Sequence, residues 1–409
     1  MADSIDKSVT DTKTTVEIPG AEEVIQEQKE QIEKVQTEGG PVEIEMDEEG
    51  GAEISFDPNA ASPEGGEDHF SNLAEFLDDG ILSELAQNLS DKYTEYKESR
   101  ADWAQSYREG LDLLGFKYQR RTQPFRGASS VTHPVLAEAV AQFQATAYKE
   151  LLPSDGPVRT QILGDVTAPK QDQANRVKDF MNYQLMDQMK EYEPEFDQML
   201  FYLPLSGSTF KKVYYDDLLG RAVSKFVHSD DLVVPYSATS LEDAEAIVHV
   251  IKISENELRK QQVSGFYKDV ELGEPPVIEN QITQKEQELE GVTQNGNEDQ
   301  FTLLEFHMDL DLEGYEDLGE DGEPTGIKIP YIVTLDTANT QILSIRRNYE
   351  AEDKLKKKVN YFVQFKFLPG TGFYGFGLIH MIGGLTRTAT AALRQLLDAG
   401  TLANLPAGF

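Results

Sequence analysis

The stretch Phe301-Thr-Leu-Leu-Glu-Phe-His-Met-Asp-Leu-Asp-Leu312 decides the class of fold, because its polar and apolar side chains alternate as they do in a β-strand. Three segments of similar character follow at short intervals, at 327–335, 341–348 and 360–367. We expect the four segments to form an antiparallel β-meander, in which each strand pairs with the next.

More strands precede this meander. Residues 209–215 and 222–228 alternate in the same way around the turn 216–220, which predicts a hairpin, and 246–253 predicts another strand. Ser254, with Glu257 three residues later, is typical of a helix start. We expect that helix to run to about residue 262, just before Gly265.

Helical periodicity occupies the rest of the chain that follows residue 69. Apolar residues recur at steps of three and four in segments 70–85, 93–111, 131–152, 171–199 and 375–398. The polar, acidic segment 271–300 contains Pro275-Pro276 and Asn295-Gly296, which favour a linker or mobile loop. Helices and antiparallel strands in separate blocks predict an α+β fold.

The first 68 residues have a different composition. They hold 20 acidic and 4 basic side chains and one aromatic residue, Phe56. Such a segment cannot bury enough apolar surface to offset the entropy of ordering the chain. We expect an acidic arm that is disordered in the isolated protein, or one that becomes ordered on a partner.

The overall charge excludes several classes of protein. Over 409 residues the net charge is −36, which argues against a broadly basic DNA-binding surface and against attachment to anionic lipid. The longest apolar-looking stretch, 375–397, is interrupted by His380, Arg387 and Arg394, so we expect no membrane span. The chain has no cysteine, which excludes disulfides and Cys-ligated metals.

A glycine-rich corner is the best candidate for a ligand site. Gly370, Gly372 and Gly375 fit the pattern G-x-G-x-x-G between a predicted strand and a predicted helix, and Asp398 lies 23 positions further on. However, Phe373 and Tyr374 are bulky where a pyrophosphate needs close backbone approach, and no second strand follows. We therefore expect a structural corner, with Phe373 and Tyr374 packed against the following helix. A nucleotide-binding enzyme is the alternative.

The remaining patterns do not build an active site. No two of the six histidines have the spacing of a helical metal site, and no nucleophile elbow or P-loop occurs. We therefore expect no catalytic residue, no metal and no cofactor. The one basic cluster comprises Lys354, Lys356, Lys357 and Lys358; it fits an exposed turn or a contact with DNA or an acidic partner.

The last predicted helix carries two distinct faces. Arg387 and Arg394 are seven positions apart and share one face, which faces a channel, another subunit or water. The opposite face is apolar, and we expect it to pack against another element. Its leucine and isoleucine residues are Leu378, Ile382, Leu385, Leu393 and Leu396.

An ordered series of segments resembles the portal proteins of short-tailed double-stranded DNA phages. The C-terminal part of the series is Gly372-Phe-Tyr-Gly375-Phe-Gly377-Leu-Ile-His380, continued from Leu385 to Phe409. Earlier parts are Pro124-Phe-Arg-Gly-Ala-Ser-Ser-Val-Thr-His-Pro134 with 150–158, Gly326-Ile-Lys-Ile-Pro330, and Ser344-Ile-Arg-Arg-Asn-Tyr349. The resemblance covers roughly residues 70–409.

This resemblance implies a ring of twelve subunits at a capsid vertex, in the virion and, during assembly, in the host cytoplasm. Double-stranded DNA would pass through the ring without sequence specificity. The implied partners are the terminase large subunit, head–tail adaptors and the major capsid or scaffolding protein. Arg387 and Arg394 would face the channel, and the basic cluster would face the motor or an adaptor.

The resemblance also implies a division of the subunit. We expect an acidic arm at 1–68, a wing-like α/β domain at 69–270, an acidic linker at 271–300, a β-rich clip-like region at 301–374, and a stem helix with the start of a tunnel-side region at 375–409. The outgoing stem helix would be 254–262. Portal proteins usually continue well past the position of Phe409, so we expect either a fragment or a reduced member. An adaptor or scaffolding protein is a third hypothesis, which the acidic arm suggests.

Overall fold

The computed structural model describes residues 69–116, 121–216, 219–274, 281–291, 300–319, 323–370 and 372–404, together with two short N-terminal strands. The chain divides into the units Met1–Ser71 and Asn72–Phe409. In the first unit, β1 (Glu43–Met46) and β2 (Ala52–Ser55) pair antiparallel. The other residues of the predicted disordered arm 1–68 lie outside the described residues, so its disorder stays a prediction.

The second unit is built on an antiparallel five-stranded sheet. Its order is β5-β6-β7-β8-β9, and one row of apolar side chains, Val248, Phe306, Val333 and Ile345, runs across four strands in register. The strands are β5 (Leu232–Val233), β6 (Ala246–Ser254), β7 (Gln300–Leu310), β8 (Ile329–Asp336) and β9 (Gln341–Arg347).

The fourth strand of the predicted meander lies in a different sheet. The outer edge of β9 is already occupied, because the Asn72 side chain donates to Leu343 O and accepts from Ile345 N, as a neighbouring strand would. Lys268 N donates to the same Leu343 O at 2.8 Å. The prediction that 360–367 extends this meander is therefore wrong.

The second sheet of this unit contains three antiparallel strands. Its order is β10-β3-β4, with Phe210 opposite Gln364 on one side and Val227 on the other. The predicted hairpin is confirmed by β3 (Ser208–Asp216) and β4 (Arg221–Val227), and β10 is Phe362–Lys366. The fold class α+β is therefore confirmed.

Eight α-helices surround the sheets in the described part of the chain. The predicted helix 171–199 is two helices, since the chain passes through a π-helical turn at Gln184–Gln188 and leaves helical geometry at Met189. The helices are α1 (Asp79–Ser99), α2 (Ala101–Leu111), α3 (Val135–Leu151), α4 (Ala168–Tyr183), α5 (Tyr192–Ser206), α6 (Glu255–Val263), α7 (Gln281–Glu290) and α8 (Leu378–Ala403).

The helix α6 begins as predicted, because the Ser254 hydroxyl accepts a hydrogen bond from Glu257 N. By contrast, α7 lies inside the segment that predicted a linker. Ile282 is buried among Tyr107, Leu111 and Ile379, so the linker interpretation is wrong for residues 281–290. The segments 275–280 and 292–299 lie outside the described residues.

Separate cores join these elements. The helix α1 packs Leu82, Ala86 and Leu89 on one face of the five-stranded sheet, while α2, α3, α7 and α8 share a second core. Since β6 pairs with β7 along its whole length, the expected wing-like and clip-like regions share one sheet. The structure therefore does not separate residues 69–270 from 301–374.

Candidate functional site

The helix α8 turns a polar face toward the rest of its unit. Its buried residues are Ile379, Gly383, Thr386, Thr390 and Asp398, which recur at steps of three, four and eight. Residues at such steps lie on one side of a helix. The face that packs within the subunit therefore combines Ile379 with small and polar residues, and Leu378 and Ile382 pack against the same core from its margin.

Three side chains of this face hold the extended segment 129–133. The Asp398 carboxylate accepts from Ser129 N at 2.6 Å, and the Thr390 hydroxyl accepts from His133 N at 3.0 Å. Between them, Arg394 Nε donates to Val131 O at 2.6 Å. Backbone groups that leave water need such partners, so these bonds fix the segment on α8.

These contacts bear on the two predicted channel-facing arginines. Arg394 also donates to Thr132 Oγ1 at 3.2 Å, so its guanidinium serves the fold of its own subunit. Arg387 forms a more exposed ion pair with Glu109 of α2, at 2.8 Å. Both arginines therefore have partners within the chain, and their exposure to a channel stays a proposal.

The opposite face of α8 is apolar and uncovered. Leu385 and Leu396, with 63 and 71% of their surface exposed, lie on the same side as Met381. Leu378, Ile382 and Leu393 are half-buried at the margin of this face. Within the described residues Leu385 and Leu396 are thus not covered by their own subunit, and the expected packing of this face against another copy stays a prediction.

The C-terminal part of the glycine-rich corner, residues 375–377, is occupied by its own chain. Gly375 N donates to Ser208 Oγ, Phe376 N to Leu368 O, and Gly377 N to His380 Nδ1. A Cβ atom at Gly375 would lie 2.6 Å from Gly207 O, so glycine here permits two backbones to touch. Three successive amides are thus engaged, and they do not form a cradle for phosphate.

The bulky residues of this corner pack away from α8. Phe373 stacks on Phe210 of β3, and Tyr374 stacks on Trp103 of α2. The prediction that they pack against the following helix is wrong, because β3 and α2 offer aromatic partners. Asp398, which lies about where the dinucleotide-binding pattern has a ribose-binding acid, instead accepts a hydrogen bond from Ser129 N.

The Tyr374 hydroxyl accepts a hydrogen bond from Arg100, a buried arginine between α1 and α2. The guanidinium of Arg100 donates to the carbonyls of Ser229 and Leu232 at 2.7 and 3.0 Å, and to Tyr374 Oη at 3.0 Å. It also lies 3.4 Å from the Asp230 carboxylate. A buried charge needs this many partners, so Arg100 joins the helices to the 229–232 loop and to the glycine-rich corner.

A second buried cluster lies where α7 meets α2. Glu286 Oε1 is 3.4 Å from both Tyr107 Oη and His228 Nε2. Burial, reinforced by Asp230, raises the pKa of Glu286 to about 7, and burial lowers the pKa of His228 to about 4. Near pH 6 the contact therefore joins a neutral carboxylic acid and a neutral imidazole, not an ion pair.

A third cluster joins the two sheets. The Glu305 carboxylate of β7 accepts from Lys212 Nζ of β3 at 2.6 and 2.7 Å, and His307 Nε2 lies 2.7 Å away. Although burial acts in the opposite direction, the Lys212 ammonium and the neighbouring imidazoles hold the pKa of Glu305 well below its usual range. The Lys212–Glu305 ion pair therefore joins the two sheets.

The basic cluster is divided by its surroundings. Lys356 Nζ is 2.5 Å from Asp317 Oδ1, and Lys358 is half-buried. Lys354 and Lys357 are exposed in the turn that follows β9. The four lysines therefore do not form one continuous exposed patch, and only Lys354 and Lys357 are freely presented to a partner.

Two features were not predicted from the sequence. One is the set of hydrogen bonds from α8 that holds residues 129–133, which we call the clamp. The other is the burial of Glu286. The clamp has a recognisable pattern, because Thr386, Thr390, Arg394 and Asp398 follow one another at intervals of four. A row of polar residues at that interval marks one helix face. Glu286 has no comparable pattern, since its burial depends on where α7 docks.

No helix in the described part of the chain combines the length and the apolar character needed to cross a bilayer. No protein-family model matches the chain, and no curated protein matches it.

Proposed function

We propose that this protein is the portal subunit of a short-tailed double-stranded DNA phage, and that it assembles into a ring through which the genome is packaged and ejected. In this role it docks the terminase large subunit, head–tail adaptors and capsid or scaffolding protein. The proposal rests on the ordered series of resembling segments that ends in α8. It assigns no reaction to the protein itself.

The observation that carries the proposal is the uncovered apolar face of α8. An apolar face along a helix of 26 residues is expensive to leave in water, because burial of apolar surface stabilises by about 25 cal/mol per Å². Exposed patches of this kind mark interaction sites. A ring supplies the cover by placing another copy against each subunit.

The charge of the chain agrees with a conduit for DNA. At −36, most of the surface repels phosphate, so DNA that passes the ring is not held by many salt-dependent contacts. A protein that must release DNA at every step benefits from that repulsion. A broadly basic lining would instead retain the duplex.

The ring is tested by changing Leu385 to Asp. An unpaired carboxylate in an apolar contact costs several kcal/mol, so we expect Leu385→Asp to convert rings into folded monomers. Light scattering distinguishes one chain of 45.8 kDa from a ring of about 550 kDa. Leu355→Asp is the matched control, since Leu355 is exposed in the turn after β9 and outside α8.

Two outcomes contradict the proposal. If the wild-type protein remains a monomer across the micromolar range, it does not form the ring that the proposal requires. Rings that persist unchanged in Leu385→Asp would show that α8 is not at the contact between subunits. General aggregation of the variant, with loss of its circular dichroism spectrum, would instead place Leu385 in the subunit core.

A further inference from the structure

A second uncovered helix lies in the region between α3 and α5. No residue of α4 is buried, although the helix is 16 residues long. An isolated helix of this length is marginally stable in water, and most helices in proteins are held by packing of an apolar face. The structure of α4 therefore implies a partner surface for that face.

The apolar face of α4 is well defined. Val177, Phe180 and Met181 are exposed and lie at steps of three and four, on one side of the helix. The preceding segment adds Leu163 and Val166, both largely exposed. Together these five residues form what we call the α4 patch.

Hydrogen bonds hold the segment that precedes the α4 patch against α4. Asn182 Oδ1 accepts from Val158 N at 2.9 Å, and Thr160 Oγ1 donates to Ala174 O at 3.1 Å. These bonds hold the segment 155–160 along α4.

Charge favours another copy of this chain as the partner. Residues 153–188 carry four basic and five acidic side chains, and α8 carries two arginines and one aspartate. These two segments are nearly neutral in a chain of −36. Two copies repel each other least where such segments meet.

We propose that the α4 patch of one copy docks on the exposed face of α8, which contains Met381, Leu385 and Leu396, in the next copy. This inference rests on the proposed function, because it supplies the contact that builds the ring. The two surfaces belong to different helices, so the contact is head-to-tail. A head-to-tail contact closes into a ring when its rotation permits, whereas a self-complementary contact stops at a dimer.

Other occupants fit these surfaces less well. Nucleic acid would require several clustered cations, and the α4 segment has a net charge of −1. An anionic membrane would repel the surrounding acidic surface. An apolar face on a second copy needs neither a cation nor a lipid.

Cross-linking through introduced cysteines tests this contact, because the chain has none of its own. The double variant carries Phe180→Cys and Leu385→Cys, and the two single variants are the controls. A short bismaleimide joins two cysteines only when they are close. We expect the double variant to give a ladder of dimers, trimers and larger species on a denaturing gel.

The single variants test whether a cross-link needs both positions. Each alone should give no product, and an equimolar mixture of the two should give dimers but nothing larger, since each copy then has one cysteine. If Leu385→Cys prevents assembly, Met381→Cys replaces it on the same face of α8.

Four outcomes overturn the inference. Efficient cross-linking of Leu385→Cys alone would show that α8 meets α8, and cross-linking of Phe180→Cys alone would show that α4 meets α4. Rings that assemble without any link between positions 180 and 385 would reject this contact and leave the proposed function intact. Absence of rings in the wild type, measured by light scattering on the same preparations, would reject both.

Discussion

At the scale of single residues, the protein surrounds the Arg100 guanidinium and the Glu305 carboxylate with several hydrogen-bond partners each. Arg100 donates hydrogen bonds to three backbone carbonyls and to the Tyr374 hydroxyl. The Glu305 carboxylate is hydrogen-bonded to both Lys212 and His307. Removing one partner of such a group leaves a buried charge uncompensated. Glu286 differs from these two, because burial, reinforced by Asp230, raises its pKa to about 7 and keeps it largely protonated below about pH 6.

Glu286 predicts a pH dependence of stability. Its pKa is raised from 4.5 to about 7 in the folded protein, so its contribution is fully present below pH 4.5 and is lost as the pH rises through about 7. The loss amounts to about 3 kcal/mol at most, since one pKa unit corresponds to about 1.4 kcal/mol. We expect Glu286→Gln to abolish this component in urea unfolding measured from pH 5 to pH 8.

The comparison of variant with wild type is needed because His228 acts in the opposite direction. Its pKa is lowered to about 4, so its contribution is present above pH 6.5 and is lost as the pH falls through about 4. Glu84→Gln, at an exposed position on α1, is the control. A difference between wild type and Glu286→Gln that stays constant with pH would show that Glu286 is not buried in its acid form.

At the scale of the element, the two faces of α8 have different contacts. Its polar row fixes the segment 129–133 within the subunit, while its apolar row is presented outward. The packing against α2 is close, because a Cβ at Gly110 would lie 2.5 Å from Ile379 Cδ1. One helix thus serves both the subunit core and, in our proposal, the ring.

The polar row predicts a specific loss in Thr390→Val. The side-chain volume is nearly unchanged, but His133 N loses its acceptor, and an unsatisfied buried donor costs about 1–3 kcal/mol. We expect a matching fall in the free energy of unfolding and faster amide exchange in the peptide that contains residues 129–133, measured by mass spectrometry.

Thr401→Val is the matched control, because the Thr401 hydroxyl donates only to Leu397 O in its own helix. This change should alter stability by no more than about 0.5 kcal/mol. Equal effects of the two substitutions would mean that the bond from His133 N does not hold the segment.

At the scale of the whole molecule, self-repulsion and apolar contact oppose each other. Each copy carries −36, so a ring concentrates many negative charges. Salt screens that repulsion and leaves apolar burial largely intact. In the proposed ring, the balance between repulsion and apolar burial would set how readily the subunits assemble.

This balance predicts that salt promotes assembly. Between 0.01 and 0.1 M NaCl the Debye length falls from about 30 to about 10 Å, so repulsion between neighbouring subunits weakens. We expect the fraction of protein in rings, measured by light scattering at fixed protein concentration, to rise over this range. Leu385→Asp should remain monomeric throughout. Rings that dissociate as salt is added would show that ion pairs, not apolar faces, hold the subunits together.

The sequence by itself determined the local elements of this protein. Strand-type patterns located β3, β4, β6, β7, β8 and β9, because alternation marks a strand with one buried face and a short apolar run marks a strand buried on both. Ser254 with Glu257 located the start of α6, since the capping bond is local in sequence. The apolar row of α8 was also visible, because helical periodicity depends on the helix alone.

Only the tertiary structure decided which element meets which. Asn72, about 270 residues before β9 in the sequence, hydrogen-bonds to the outer edge of β9. That edge is therefore occupied, and β10 pairs with β3 in the other sheet. The polar stretch that contains α7 is a helix whose Ile282 is buried in a core with Tyr107 and Ile379. The face of α8 that bonds residues 129–133 is covered, while Leu385 on the other face is exposed. Periodicity reveals that a helix has two faces, but which face is covered depends on partners distant in sequence, and their packing free energy outweighs local preference.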